Sequence, residues 1–342
     1  MSKRVLIAPL DWGLGHTARC IPIIQDLLQQ GHEVIFAGTQ KQFDFVTQHQ
    51  VSIKHVELFS YNVNYAKRLP QWVKIGAQVN KLKSKIKAEH KWLQDFLSKE
   101  KIDVVISDNR YGLYSNKVHC IFIGHQLSIQ SPLLSKKINN IHANYINKFN
   151  ECWIPDDADL NLSGELSVNK KISIPTKRIG LLSRFSEYNS IANKKYEVLI
   201  LLSGTEPQRS ILEQKLMAAL DDSKLSIALV RGTSTPPTEV YGKTKTFDLL
   251  NSNELQTLIE SAEIIICRSG YSTIMDIIHF NKKMILIPTP GQTEQEYLAK
   301  HLKKNHNIPY LEQSKLNNLA EHIKKIEPSK IHSERTALAI KV

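Results

Sequence analysis

Short apolar-rich runs alternate with longer amphipathic stretches along most of the chain. Residues 4–8, 33–37, 51–56, 104–106 and 121–123 have strand length and strand composition. Helical spacing fills 17–30, and Gly31 stands where a helix C-terminal cap belongs. A second series repeats the plan: a strand over 197–202, a small-residue turn Ser203-Gly204-Thr205, and a helix over 208–221. Strands over 226–230, 245–247, 264–267 and 284–287 follow. This alternation predicts an α/β chain of two Rossmann-like domains with parallel sheets. The polar stretch 155–195 separates them. The expected division is an N-terminal domain over 1–155, a linker over 156–195, a C-terminal domain over 196–326 and a terminal helix over 327–342. Open parallel sheets bind ligands beyond the carboxyl ends of their strands, so the two sheets are expected to face an interdomain cleft.

Composition narrows the setting. The chain has 342 residues, enough for two cores, and no apolar run approaches the ~18 residues that span a bilayer. The apolar start over 5–10 is too short for a signal peptide, which points to the cytoplasm. Cys20, Cys120, Cys152 and Cys267 are scattered and form no metal or disulfide framework. The formal net charge of +12 calls for an anionic partner. Nucleic acid is the weaker choice, since no recognition signature is present. From 67 to 101 lysines crowd a helical pattern (Lys67, Arg68, Lys74, Lys81, Lys83, Lys85, Lys87, Lys91, Lys99, Lys101), with Trp72, Leu82, Ile86, Trp92 and Phe96 as apolar contacts. That pattern suits docking on an anionic membrane surface, at the inner face of the cell membrane, although a charge run also serves as a solvated face.

The most informative chemistry lies between 264 and 297. One strand runs into Arg268-Ser269-Gly270 and a helix start with Ser272 and Thr273; the next ends at Pro288-Thr289-Pro290-Gly291 and opens a helix at Gln292, Glu294 and Gln295. Helix N-termini carry unpaired N–H groups and favour anions. Carboxylates and amides just behind, Asp276 among them, can hold hydroxyls. The pattern points to a nucleoside diphosphate bearing a hydroxyl-rich group. In the first half, Asp11-Trp12-Gly13-Leu14-Gly15-His16 links the first strand to the first helix. There His16 can take a proton from a hydroxyl, and Asp11 can orient it or be the base itself. Asp157-x-Asp159 mimics a metal motif but lies in the polar linker, and no metal site is expected.

These motifs resemble GT-B glycosyltransferases of the family 28 kind, whose best-known member adds N-acetylglucosamine to a lipid-linked peptidoglycan precursor. The resemblance implies an inverting, metal-independent glycosyltransferase with a UDP-sugar as donor substrate and no cofactor. It implies diphosphate contacts at Arg268, Ser269, Gly270, Ser272 and Thr273, ribose at Asp276, where the family usually has Glu, and sugar contacts at Gln292, Glu294 and Gln295. Gly204 and Thr205 form the matching loop of the donor domain, and Arg184 aligns with a linker arginine that reaches the donor. The acceptor is expected to be a cell-envelope glycolipid or saccharide, held near Gly13, Gly15, Asp108, Asn109, Arg110, His125 and Gln126. Asp108-Asn109-Arg110 replaces a Gly-rich loop of the family, a departure at the acceptor side. The pattern Gly13-x-Gly15-His16-x-x-Arg19 also fits sugar-nucleotide hydrolases of the same fold, and a catalytically silent nucleotide-sugar-binding subunit is the third reading.

Overall fold

The computed structural model describes residues 2–49, 51–61, 79–130, 135–185, 194–233, 241–329, 331, 338 and 340–342. The chain forms two compact units, Met1–Arg184 with Thr336–Val342, and Phe185–Arg335.

The first unit contains β1 (Arg4–Pro9), α1 (Leu14–Gln29), β2 (Glu33–Gly38), α2 (Gln40–Thr47), β3 (Lys54–Glu57), α3 (Val79–Leu97), β4 (Val104–Asp108), β5 (His119–Ile123), α4 (Ser135–Ile146), β6 (Glu151–Ile154) and β7 (Thr176–Arg178). Its seven strands run in the order β3-β2-β1-β4-β5-β6-β7, all parallel. Val5 to Ala8 at the centre are fully buried, because helices cover both faces of such a sheet. The strand order reverses between β1 and β4. That reversal opens a crevice at their carboxyl ends, the usual ligand position of an open α/β sheet.

The second unit contains β8 (Tyr196–Leu201), α5 (Gln208–Leu220), β9 (Ile227–Val230), β10 (Lys245–Phe247), α6 (Ser252–Ser261), β11 (Ala262–Cys267), α7 (Tyr271–Ile277), β12 (Lys283–Leu286), α8 (Thr293–His306) and α9 (Leu319–Lys324). Its five parallel strands run β10-β9-β8-β11-β12. Here the order reverses between β8 and β11, so the turns after those strands flank the corresponding crevice.

Several expectations need correction. The stretch 156–195 is no simple linker: β7 and a 3-10 turn, Gly164–Ser167, lie within it. Buried Asp156 accepts from the N–H groups of Leu162 (3.0 Å) and Ser163 (2.9 Å) and from Arg178 Nη1 (2.9 Å), which fastens it to the first unit. Asp157 accepts from its own loop N–H groups, at Asp159 (2.9 Å) and Leu160 (3.1 Å), and no metal-ligand cluster occurs among the described residues. Within 327–342, the described residues 327–329 and 340–342 are irregular, and most of the others lie outside the described residues.

The basic stretch 67–101 is described only from Val79, as α3; Lys67, Arg68, Trp72 and Lys74 lie outside the described residues. The apolar face of α3 is already occupied. Leu93 joins the main core of the first unit, with Trp92 and Phe96 against it, and Ile86 packs with Leu10 and Tyr61. What α3 shows outward is cationic: Lys81, Lys83, Lys87 and Lys91 are exposed. No described helix is long and apolar enough to cross a membrane.

Candidate functional site

In the first unit the site grows from the turn after β1. Gly13, at φ 88°, caps α1, a conformation most side chains avoid. The helix therefore opens at Leu14, earlier than the sequence spacing suggests, and includes Gly15. This places His16 in the first turn and Arg19 one turn further on the same face. β4 extends to Asp108, in register with Pro9 of β1, so Asp108 enters the same crevice.

These residues meet. His16 Nδ1 lies 3.0 Å from Asp108 Oδ1. Arg19 donates from Nε to Asp108 Oδ2 at 2.6 Å and from Nη2 to Asp108 Oδ1. Arg19 Nη2 is also 2.9 Å from His16 Nδ1, and its Nη1 is 3.0 Å from His125 Nδ1. A guanidinium can only donate, so His125 Nδ1 accepts and the proton of a neutral His125 sits on Nε2. His16 Nδ1 faces both the Asp108 carboxylate and the Arg19 guanidinium; in the tautomer that donates from Nδ1 to the carboxylate, Nε2 is left as a lone-pair base.

Asp108 and Arg19 are fully buried, while His16 keeps 20% of its side chain exposed. Burial alone would raise the Asp108 carboxyl, but the charges and hydrogen bonds of Arg19 and His16 outweigh it and hold the group well below the carboxylate range. Burial lowers the His16 imidazole; attraction to Asp108 opposes this and Arg19 reinforces it. The imidazole is therefore neutral at pH 7, as a base must be.

Two expected members of this site are placed differently. Asp11 does not orient His16. Its carboxylate accepts from Ser60 Oγ and from the Tyr61 N–H (3.2 Å), anchoring the loop after β3; Asp108 takes the orienting place. Arg110 is not an acceptor contact either. It is fully buried, donating to Pro9 O (2.8 Å), Phe59 O (3.3 Å) and Glu89 Oε1 (3.0 Å). Glu89 also takes the Tyr61 hydroxyl at 2.9 Å and the Gly112 N–H at 2.7 Å. Asp108 likewise reaches any ligand only through His16 and Arg19. Asn109, at φ 56°, donates to Asp108 Oδ1 at 3.3 Å, and Gln126 stays half-buried in the loop after β5.

In the second unit, the turn after β11 and the loop after β12 are stitched together. Ser269 Oγ donates to Gln295 O at 2.8 Å, and the Thr289 N–H donates to Gln295 Oε1 at 2.9 Å. That fixes the Gln295 amide with its Nε2 turned to Gly270. A Cβ built on Gly270 would sit 3.9 Å from Gln295 Nε2 and 4.0 Å from Thr273 Oγ1. Gly270, Thr273 and Gln295 thus surround one small space at the start of α7. Ser272 is half-buried beside it, and Asp276 sits 7% exposed on the last turn of α7. Gln292 begins α8 without a side-chain cap, Glu294 lies in its first turn, and Glu296 accepts from the Gly291 N–H at 2.8 Å. Gly204 (φ 96°) and Thr205 form an exposed loop after β8.

Arg268 departs from expectation. It is 1% exposed and turned inward, donating to Ile287 O (3.2 Å), Pro288 O (3.3 Å) and Gln208 O (2.7 Å), so its guanidinium does not present itself to a diphosphate. Arg184, the last residue of this part of the first unit, stands 5.6 Å from the Phe45 ring centroid. Arg19 enters the sequence reading only through the Gly13-x-Gly15-His16-x-x-Arg19 pattern, without a role of its own. Its signal was a charge set in an apolar run, Ala18-Arg19-Cys20-Ile21, three residues after His16.

With this geometry in hand, comparison with known proteins is direct. Residues 206–340 match the glycosyltransferase family 28 C-terminal domain. An uncharacterized glycosyltransferase of Methanosarcina acetivorans is 25% identical over 325 residues, covering 86% of this chain and 81% of the relative. One from Methanosarcina mazei is 24% identical over 329 residues, with 86% and 81% covered. Among solved structures, UGT89C1 of Arabidopsis thaliana complexed with UDP-L-rhamnose superposes with a TM-score of 0.69 at 12% identity, covering 95% of this chain and 90% of that one. The spinosyn rhamnosyltransferase SpnG complexed with thymidine diphosphate gives 0.62 at 11%, with 94% and 91% covered. The fold is GT-B. Residues 206–340 are similar to the family 28 C-terminal domain, set within that fold.

Proposed function

We propose that the chain is a glycosyltransferase that moves a sugar, N-acetylglucosamine as the first candidate, from a UDP-sugar to a cell-envelope glycolipid or saccharide, with inversion and without a metal. The observation that carries the reading is the His16–Asp108 contact of 3.0 Å at the β1/β4 crevice. In the proposed step, His16 Nε2 takes the proton of an acceptor hydroxyl while its oxygen attacks the anomeric carbon. The bond from that carbon to the diphosphate breaks, and UDP leaves with the electron pair. Attack opposite the leaving group inverts the configuration.

The leaving diphosphate is assigned to Ser269, Gly270 and Thr273, where N–H groups at the start of α7 are positioned to receive negative charge. Asp276 is assigned to ribose, and Gln295 Nε2 with Gln292 and Glu294 to the sugar. Gly204 and Thr205 complete the donor loops. Gly13, Gly15, Asn109, His125 and Gln126 are assigned to the acceptor side. The lysine face of α3 supplies electrostatic adhesion to an anionic leaflet, worth ~1 kcal/mol per nearby cation; its apolar side is spent on the core, so adhesion without insertion is the proposal.

Incubation with a panel of UDP-sugars and an envelope lipid extract tests the reading. Formation of a glycoside of inverted anomeric configuration, undiminished by EDTA, is the expected result. Free sugar as the only product would move the assignment to a hydrolase. Loss of activity with EDTA and its return with Mg²⁺ or Mn²⁺ would contradict the metal-free mechanism.

A further inference from the structure

Three buried guanidiniums tie the carboxyl ends of the second sheet together, strand by strand in spatial order. Next to β10, Asp248 Oδ1 accepts from Arg231 Nη1 at 2.8 Å, and Arg231 itself follows β9. From Arg231 the tie passes to α5: its Nε donates to Glu213 Oε1 at 2.8 Å. Arg209 Nη1 donates to Glu213 Oε2 at 3.3 Å and to Arg231 O at 3.1 Å, and its Nη2 reaches Glu206 in the loop after β8. Arg268, after β11, then joins the start of α5 at Gln208 O to the end of β12 at Ile287 O and Pro288 O. Arg209, Arg231, Arg268 and Glu213 are each no more than 4% exposed.

Two assigned donor residues, Thr205 and Ser269, and Thr289, which holds the Gln295 amide, stand beside a tied residue in the chain. Thr205 precedes Glu206, Ser269 follows Arg268, and Thr289 follows Pro288. Leu249, an apolar side chain 60% exposed, follows Asp248. A buried ion pair adds little net stability, because desolvation consumes most of its Coulomb energy. What a fork-shaped guanidinium supplies well is fixed geometry between several acceptors. The connections after β8, β10, β11 and β12 are short, at 202–207, 248–251, 268–270 and 287–292. Gly232 shows how closely they are drawn in: a Cβ there would lie 2.7 Å from Leu202 O.

We infer that Arg209, Arg231, Arg268 and Glu213 are positioning residues that hold the five strand-end loops of the second unit in the geometry that receives a nucleoside diphosphate. The inference rests on the donor reading above. Glu213 is the hub, bridging two guanidiniums with its two oxygens. Arg268 acts from beneath the Ser269-Gly270 turn, without touching the ligand. The loops next to Asp248 and Pro288, at opposite edges of the sheet, are thereby coupled.

Two measurements on the full chain test this: titration calorimetry with UDP, and amide hydrogen exchange without nucleotide. Glu213→Gln leaves one guanidinium without its oxygen. It should weaken UDP binding ~10-fold or more and speed exchange at both 248–251 and 287–292. Arg231→Lys keeps the charge but cannot bridge Glu213 and Asp248, and it should behave alike. Asp248→Asn lies at the half-exposed rim and serves if the buried variants fail to fold; ~3–10-fold weaker UDP binding is expected at a nearly unchanged melting temperature. Variants that bind UDP within two-fold of wild type, with exchange at 287–292 unchanged, would overturn the inference. Failure of the wild-type chain to bind UDP would instead refute the donor reading, and exchange at the far edge of the sheet would still decide the coupling.

Discussion

In the proposed mechanism His16 serves as the base because of what lies behind it. Asp108 holds one face of the ring and burial keeps the imidazole neutral, its ionisation lowered from the ordinary 6.5. Turnover should therefore rise with pH through an apparent value below 6.5 and stay level above it, which a pH–rate profile checks. His16→Ala should cut turnover by ~10²–10⁴-fold with UDP affinity unchanged, because the assigned donor contacts lie in the other unit. Asp108→Asn should also lower turnover, through loss of ring orientation, and calorimetry should again find UDP affinity unaltered. Normal turnover in folded His16→Ala would remove the base assignment. A second histidine carries a different consequence. His142 is buried with its Nε2 3.1 Å from the Tyr111 hydroxyl, and burial pulls it down to about 4. The unfolded chain then binds the extra proton between about pH 6.5 and 4. Stability contributed by neutral His142 is full above that window and is lost as pH falls through it, up to ~3 kcal/mol. Melting temperatures of His142→Leu should fall less between pH 7 and pH 5 than those of wild type. At this scale the sequence was only half legible. His16, Gly270, Thr273 and Gln295 stand out in the sequence from their place at helix starts, and the structure keeps them there. Arg110 and Arg268 were misassigned because a sequence does not reveal which way a guanidinium turns when buried carbonyls compete for it.

Element boundaries explain the remaining misreadings. The strand expected over 104–106 runs on to Asp108, which takes that carboxylate out of an open loop and into the ladder beside Pro9. β7 has three residues, too few for alternation to show, so a stretch of the first sheet read as a linker. The α/β alternation itself was plain, since buried parallel-strand runs such as 104–108 and 264–267 leave compact apolar stretches between amphipathic helices. One turn offers a direct test of how tightly elements are joined. Gly232 has φ 66° and lies against the Leu202 carbonyl. Gly232→Ala combines a left-handed backbone with a steric clash and should cost roughly 1–3 kcal/mol, read as a lowered urea midpoint of the second unit. A midpoint equal to wild type would show that this loop yields freely.

At the scale of the whole chain, the two units hold unequal numbers of cysteines. Cys20, Cys120 and Cys152 belong to the first unit and Cys267 to the second, and all four are buried free thiols. Burial pushes Cys120 up to about 11 and Cys152 and Cys267 up to about 12, and burial with the neighbouring Asp108 charge raises Cys20 well above the ordinary thiol range. A thiol in that state is a poor nucleophile. The folded protein should thus resist iodoacetamide at pH 8, and modification should follow opening of the chain instead of encounter with the reagent. Mass spectrometry after labelling across a urea gradient reads the two units separately without any engineered probe: Cys267 reports one, the other three report its companion. Coincident labelling curves would mean that the units open together; an early Cys267 curve would mean that the nucleotide half opens first. Rapid labelling of any of the four in native buffer would contradict their burial. Nature has left this protein with its own isotope-free clock for unfolding, written in four cysteine sulfur atoms.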